Sequence, residues 1–144
     1  MGIKQIELVP IANQISPITP ASKNVRTKAF QIARTDTVAS IKMALPQGAT
    51  ILNIFVYSPL VSNALTTATV SIGTSVTATE LITSLDVKTA AGIIQAGAGA
   101  ATTFLQIEPV PTTGVDLNIW AKYAETGTAS TTGGPYTVFV LFVP

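Results

Sequence analysis

The chain contains neither cysteine nor histidine. Without thiols there are no disulfides, no thiolate nucleophile and no cysteine zinc site, and the sequence carries no redox information. Without imidazole the commonest general base and metal ligand is missing, so a serine or threonine hydroxyl has no ordinary base to activate it. Charge is scarce as well: only 10% of residues are charged, against ~25% in an average soluble domain. Aromatics make up 6%. The longest unbroken apolar run is Val138 to Val143, far below the ~20 residues of a membrane-spanning helix. The N-terminus has no apolar core before a small-residue cleavage site, and Ile6 stands where a myristoylation motif needs Ser or Thr. Synthesis in the cytoplasm is the expectation.

Within 144 residues, 47% of them apolar, there is material for one well-buried domain but not for two. The mean hydropathy is +0.49, high for a lone monomer, which points to surface covered by another protein. The 22 threonines and the many Val and Ile residues suit pleated, half-buried strands. The expected class is all-β, a jelly roll or two-sheet β-sandwich over residues 25–144, preceded by an extended arm over residues 1–24.

The arm reading rests on Pro10, Pro17 and Pro20, which disfavour both a helix and a central strand. Ile3, Ile6, Leu8, Val9, Ile11, Ile15 and Ile18 are too many large apolar residues for a solvated tail. They imply an arm that docks. Residues 1–42 hold six basic and two acidic side chains, the remainder two basic and five acidic, a dipolar layout suited to oriented docking.

Strand signals begin at Val25 and continue over 37–45, after a turn at Asp36. Pro46-Gln47-Gly48 marks a tight turn before Ile51–Tyr57, which is apolar on both faces and reads as a central strand. Further strands are expected over 66–73, 102–110, 115–123 and 136–143. Leu81, Ile82 and Leu85 fit a short helix within 79–91. Ala90 to Ala101, with three glycines, reads as a small-residue loop.

Chemistry-bearing patterns are few. Glu80, Asp86, Glu108, Asp116 and Glu125 are the carboxylates from which a glycosidase pair would have to come; solvated turn residues are the simpler account. The Gly-Ala repeat at 96–100 lacks the Gly-Lys-Ser/Thr of a phosphate loop. No alternating acidic loop suits calcium, and no cofactor or metal site is expected. Lys23, Arg26, Lys28, Arg34 and Lys42 form a basic cluster, but too few aromatics accompany it for a nucleic-acid track. Trp120 with Tyr123 or Tyr136 is the one combination that could make a sugar-binding platform; packing is the simpler use.

The run Leu45-Pro-Gln-Gly-Ala-Thr-Ile51, followed by Ala68-Thr-Val-Ser-Ile-Gly-Thr74, Glu80-Leu-Ile-Thr-Ser-Leu-Asp-Val87, Leu117-Asn-Ile-Trp-Ala-Lys-Tyr123 and the Thr126–Ala129 loop, resembles the small jelly-roll or β-sandwich decoration (cement) proteins of tailed bacteriophage heads. The likeness spans about residues 26–143, leaves the arm unmatched, and transfers no functional residue. It implies a non-enzymatic virion protein on the outer capsid surface, a homotrimer whose partners are itself and the major capsid protein, with no nucleic acid and no membrane. On that reading, candidate capsid or subunit contacts are Ile3, Ile6, Leu8, Ile11, Ile15, Ile18, Lys23, Arg26 and Lys28. The alternative is a receptor- or carbohydrate-binding fibre or tail module.

Overall fold

The structure, a computed structural model, describes residues 24–95, 108–109 and 114–144. The expected arm up to residue 23, the 96–101 part of the expected loop and most of the expected 102–110 strand lie outside these residues. Among the described residues nine strands follow in order: β1 Arg26–Ile32, β2 Ser40–Leu45, β3 Thr50–Ser58, β4 Thr67–Gly73, β5 Ile82–Asp86, β6 Gly92–Gln95, β7 Glu108–Pro109, β8 Leu117–Thr126 and β9 Tyr136–Val143. No helix occurs among the described residues, and the all-β expectation holds.

The strands form two antiparallel sheets. The first runs β1-β9-β3-β6, with β7 also on β3; the second runs β2-β8-β4-β5. Both β6 and β7 lie on the edge of β3 away from β9, β6 along Phe55–Ser58 and β7 along Thr50–Ile51. They occupy one strand position in two pieces. Pairing therefore joins the first strand to the last, the second to the next to last, β3 to β6 and β7, and β4 to β5. That is a long hairpin, which the β9–β3 and β8–β4 pairings roll up into the winding of a jelly roll.

The core lies between the sheets, and period-two alternation builds it. In β9, Tyr136, Val138, Val140 and Phe142 are buried while the residues between them are half-exposed. Ile51, Ile54 and Val56 face them on β3's inner side, and the second sheet adds Leu45, Val70, Ile72, Ile82, Leu85, Ile119, Ala121 and Tyr123. At Pro46-Gln-Gly48 the expected turn is present: Ala49 N–H donates to the Pro46 carbonyl at 3.2 Å, and Gly48 takes a φ of 75°, a conformation that glycine adopts without steric cost. At one end of the sandwich the 33–39, 59–66, 87–91 and 127–135 loops are tied together. Ser62 N–H donates to the Val87 carbonyl, Gly134 N–H to Leu60 and Asn63 N–H to Thr132, while an Arg34 guanidinium N–H donates to the Ser130 carbonyl at 2.6 Å.

Two expectations are corrected. The segment read as a helix within 79–91 contains strand β5. Ile82 and Leu85 are both buried because a bulge separates them: Val70 pairs with Leu85 and Ile72 with Ile82, so Thr83 and Ser84 oppose Ser71 alone. Ser84 has a φ of 54°, and its N–H donates to Ser71 Oγ at 3.0 Å. The extra bulge residue turns a strand spacing of two into three, which imitates one turn of helix. The second correction is Gly92–Gln95, read as loop and found as β6 against β3. Four residues flanked by small ones give too short a signal for periodicity.

Candidate interaction surface

The outward positions of the first sheet follow from its register. Ala29, Phe139 and Phe55 lie side by side across β1, β9 and β3; Gln31, Thr137, Tyr57 and Ile93 form the next row, and Thr27, Leu141 and Asn53 the row beyond. Phe55, Phe139, Leu141 and Val143 are half-buried, while Tyr57 is 41% and Ile93 74% exposed. No described strand packs over them. None of these outward positions carries a charge, although β1 includes Arg26 and Lys28. Alternation gives both cations the parity of buried Phe30 and Ile32, so they turn away from this face.

The second sheet's outer face has the usual polarity. Its rows are Ser71 with Lys122, Asp86 with Thr69 and Ala124, and Thr67 with Thr126. Only the Ile41–Trp120 pair is apolar there. An antiparallel sandwich normally solvates its outer faces, so the uncharged aromatic stripe on the first sheet is the departure that asks for a partner.

A bulge in β3 shapes the stripe. Ile51 pairs with Phe142 and Asn53 with Leu141, so Leu52 is the extra residue and the buried set becomes Ile51, Ile54, Val56, Ser58. Asn53 Oδ1 accepts the Ile54 N–H at 2.8 Å. The two-faced apolarity of Ile51–Tyr57 correctly signals a strand with neighbours on both edges, but within the described residues only one face is covered.

The remaining polar groups serve the fold. Glu80 accepts hydrogen bonds from the Ser75 and Thr77 hydroxyls and from the Thr74 and Thr79 N–H groups. Partial burial would raise its pKa, but these donors outweigh it and hold the carboxyl at about 2. Asp86 caps its turn through the Lys88 and Thr89 N–H groups and the Thr89 hydroxyl. Glu125 accepts from the Ser130 N–H and the Tyr123 hydroxyl. With Asp116 exposed and the Glu108 side chain outside the description, Glu80, Asp86 and Glu125 are each tied to neighbouring residues of their own turn. No cluster of three or more metal-binding side chains occurs among the described residues.

The basic residues are dispersed in the same way. Lys42 Nζ lies 2.7 Å from Asp36 Oδ2, Arg34 is held by Ser130, and Lys28 Nζ donates to the Ala44 carbonyl at 2.8 Å and sits 6.0 Å from the Phe142 ring centroid. Lys28 thus ties the edge of one sheet to the edge of the other; Arg26 stays exposed. Lys23 and the six arm residues named as contacts lie outside the described residues. Tyr123 and Tyr136 are 1% and 0% exposed, which removes both from a sugar-binding platform. The residues that sequence reasoning missed are Phe139, Leu141 and Ile93. Phe139 and Leu141 sit in a run that looks like core throughout, and only the strand pairing shows which half faces out.

No family model and no curated protein matches the sequence. Two chains of known structure do match. One is described as "Cyanophage Pam1 capsid asymmetric unit": it aligns with a TM-score of 0.57 and 20% identity over 83% of this chain and 84% of that one. At that identity the likeness establishes a shared fold over most of both chains.

Proposed function

We propose that this protein is a structural component of a bacteriophage virion, a decoration protein that sits on the outer capsid surface as a homotrimer and bridges major capsid subunits. On this reading it has no catalytic activity, is made in the host cytoplasm, and consists of a sandwich over residues 25–144 with a docking arm over residues 1–24. The observation that carries the proposal is the uncharged aromatic stripe on the outer face of the first sheet, Phe55, Tyr57, Phe139 and Ile93, in a chain that shares its fold with a chain of a phage capsid unit. An apolar face of this kind suits contact with another protein. The scarcity of charge and the engagement of Glu80, Asp86 and Glu125 within their own turns support the same reading.

The test adds purified protein to capsid particles that lack it. Saturable binding, raised particle stability and a trimer mass in solution are expected. A protein that stays monomeric at high micromolar concentration and leaves the particles undecorated contradicts the proposal. The fibre-module reading loses Tyr123 and Tyr136 to the core, and what supports it as the second reading is the same outer cluster of Phe55, Tyr57 and Phe139.

A further inference from the structure

We infer that the outer face of the first sheet receives residues 3–11 of a neighbouring copy of this chain, so that each copy gives one arm and accepts one. This rests on the homotrimer proposed above and adds to it the surface and its occupant.

The size of the face argues first. Four strands at ~4.8 Å spacing and about seven residues of ~3.4 Å rise give a face of ~450 Å². A stable interface between globular surfaces buries ~800 Å² on each partner. The stripe is therefore too small to hold a second sandwich unaided, but its ~24 Å length matches one extended segment of seven or eight residues. Within residues 3–11 the sequence provides Ile3, Ile6, Leu8, Val9 and Ile11 with only Lys4 and Glu7 charged. The two charges are of opposite sign, so the segment has no net charge.

The place where the described chain begins argues for a neighbour over the chain's own sheet. Asn24 leads directly into β1, an edge strand of that same sheet, so its own face lies ~5–15 Å away across the strands. Between Ile11 and Asn24 stand twelve residues, among them Pro17 and Pro20. Twelve residues of chain can reach at most ~40 Å, more than the chain's own sheet needs and enough for passage to an adjacent copy. A head-to-tail exchange of this kind closes into a ring when the rotation is threefold.

Because the native chain has no cysteine, cross-linking of the full-length protein tests the inference directly. Two double variants, Leu8→Cys with Ile93→Cys and Ile11→Cys with Tyr57→Cys, are treated with a short bismaleimide and run on a denaturing gel, alongside a control pair of Leu8→Cys with Lys122→Cys on the other sheet. A ladder up to a covalent trimer from either face pair, and not from the control, is expected. Linkage confined within single chains identifies the chain's own arm as the occupant and overturns the inference, as does linkage no greater than the control. In parallel, Ile93→Asp, at an exposed position, is expected to convert trimer to monomer with an unchanged circular dichroism spectrum. If Ile93→Asp stays trimeric and still decorates particles, the inference falls while the virion role stands. If the wild-type chain never decorates particles but the inter-chain ladder forms, the virion role falls and the inference stands.

Discussion

Tyr123 and Tyr136 stack with ring centroids 5.9 Å apart and planes 12° from parallel, yet their hydroxyls are treated oppositely. Tyr123 Oη lies 2.7 Å from Ser62 Oγ and donates to Glu125 Oε2 at 2.7 Å. Tyr136 Oη is buried with no hydrogen-bond partner among the described residues. Burial, reinforced by the negative charges available to Tyr123 and Glu125, pushes the Tyr136 phenol up to about 12; nearby Ser62 opposes this, but without hydrogen-bonding geometry. An unsatisfied buried hydroxyl costs ~1–3 kcal/mol, whereas deleting one member of a satisfied set strands its partners. Tyr136→Phe is therefore expected to leave stability unchanged or raise it by about 1 kcal/mol, and Tyr123→Phe to lower it by ~1–3 kcal/mol. Urea midpoints of the two variants check the contrast; equal losses would show that Tyr136 has a partner after all.

The two faces of β3 give the second prediction. Ile54 is fully buried between the sheets while Phe55 is half-buried on the outer stripe. Ile54→Ala should cost ~2–5 kcal/mol. Phe55→Ala should cost clearly less in folding and instead weaken self-association, measured by pairing denaturation with sedimentation. Equal folding losses would place Phe55 in the core.

Glu80 gives a pH dependence. Its folded pKa of about 2 lies below the unfolded value of 4.5, so its stabilisation is complete above pH ~4.5 and is lost as pH falls through ~2. Exposure to solvent keeps the effect modest. Wild type should exceed Glu80→Gln in urea midpoint at pH 6, and the gap should close by pH 2. A gap that is constant from pH 6 to 2 contradicts the assignment.

Gly73 is fixed by close approach of backbone. A Cβ there would lie 2.6 Å from Thr79 N and 2.8 Å from the Ala78 carbonyl carbon, and would also collide with the Glu80 carboxylate. Gly73→Ala is expected to destabilise by ~1–3 kcal/mol through displacement of the 74–80 loop. A thermal midpoint unchanged within error would show that the loop gives way freely.

How much of this was readable in the sequence follows from local geometry. The strands at 26–32, 50–58, 67–73 and 136–143 were legible because each has a clear β composition between turn signals, and Pro46-Gln-Gly48 because its residue types suit a tight turn. β5 was misread because the bulge at Thr83 and Ser84 changed its period, and β6 was missed because four residues carry no period at all. The outer stripe was only half legible. Ile51–Tyr57 announced two apolar faces, but its alignment with Phe139 and Ile93 depends on pairing between strands far apart in sequence and on the bulge at Leu52, neither of which leaves a local mark.

The central claim is that the sandwich is a capsid component, and the most direct measurement is electron cryo-microscopy of particles assembled with and without the protein. The account predicts extra density on the outer surface of the decorated particles. That density should take the β1-β9-β3-β6 and β2-β8-β4-β5 sandwich three copies at a time, against neighbouring capsid subunits. Identical maps with and without the protein, or density confined to the tail, would contradict it.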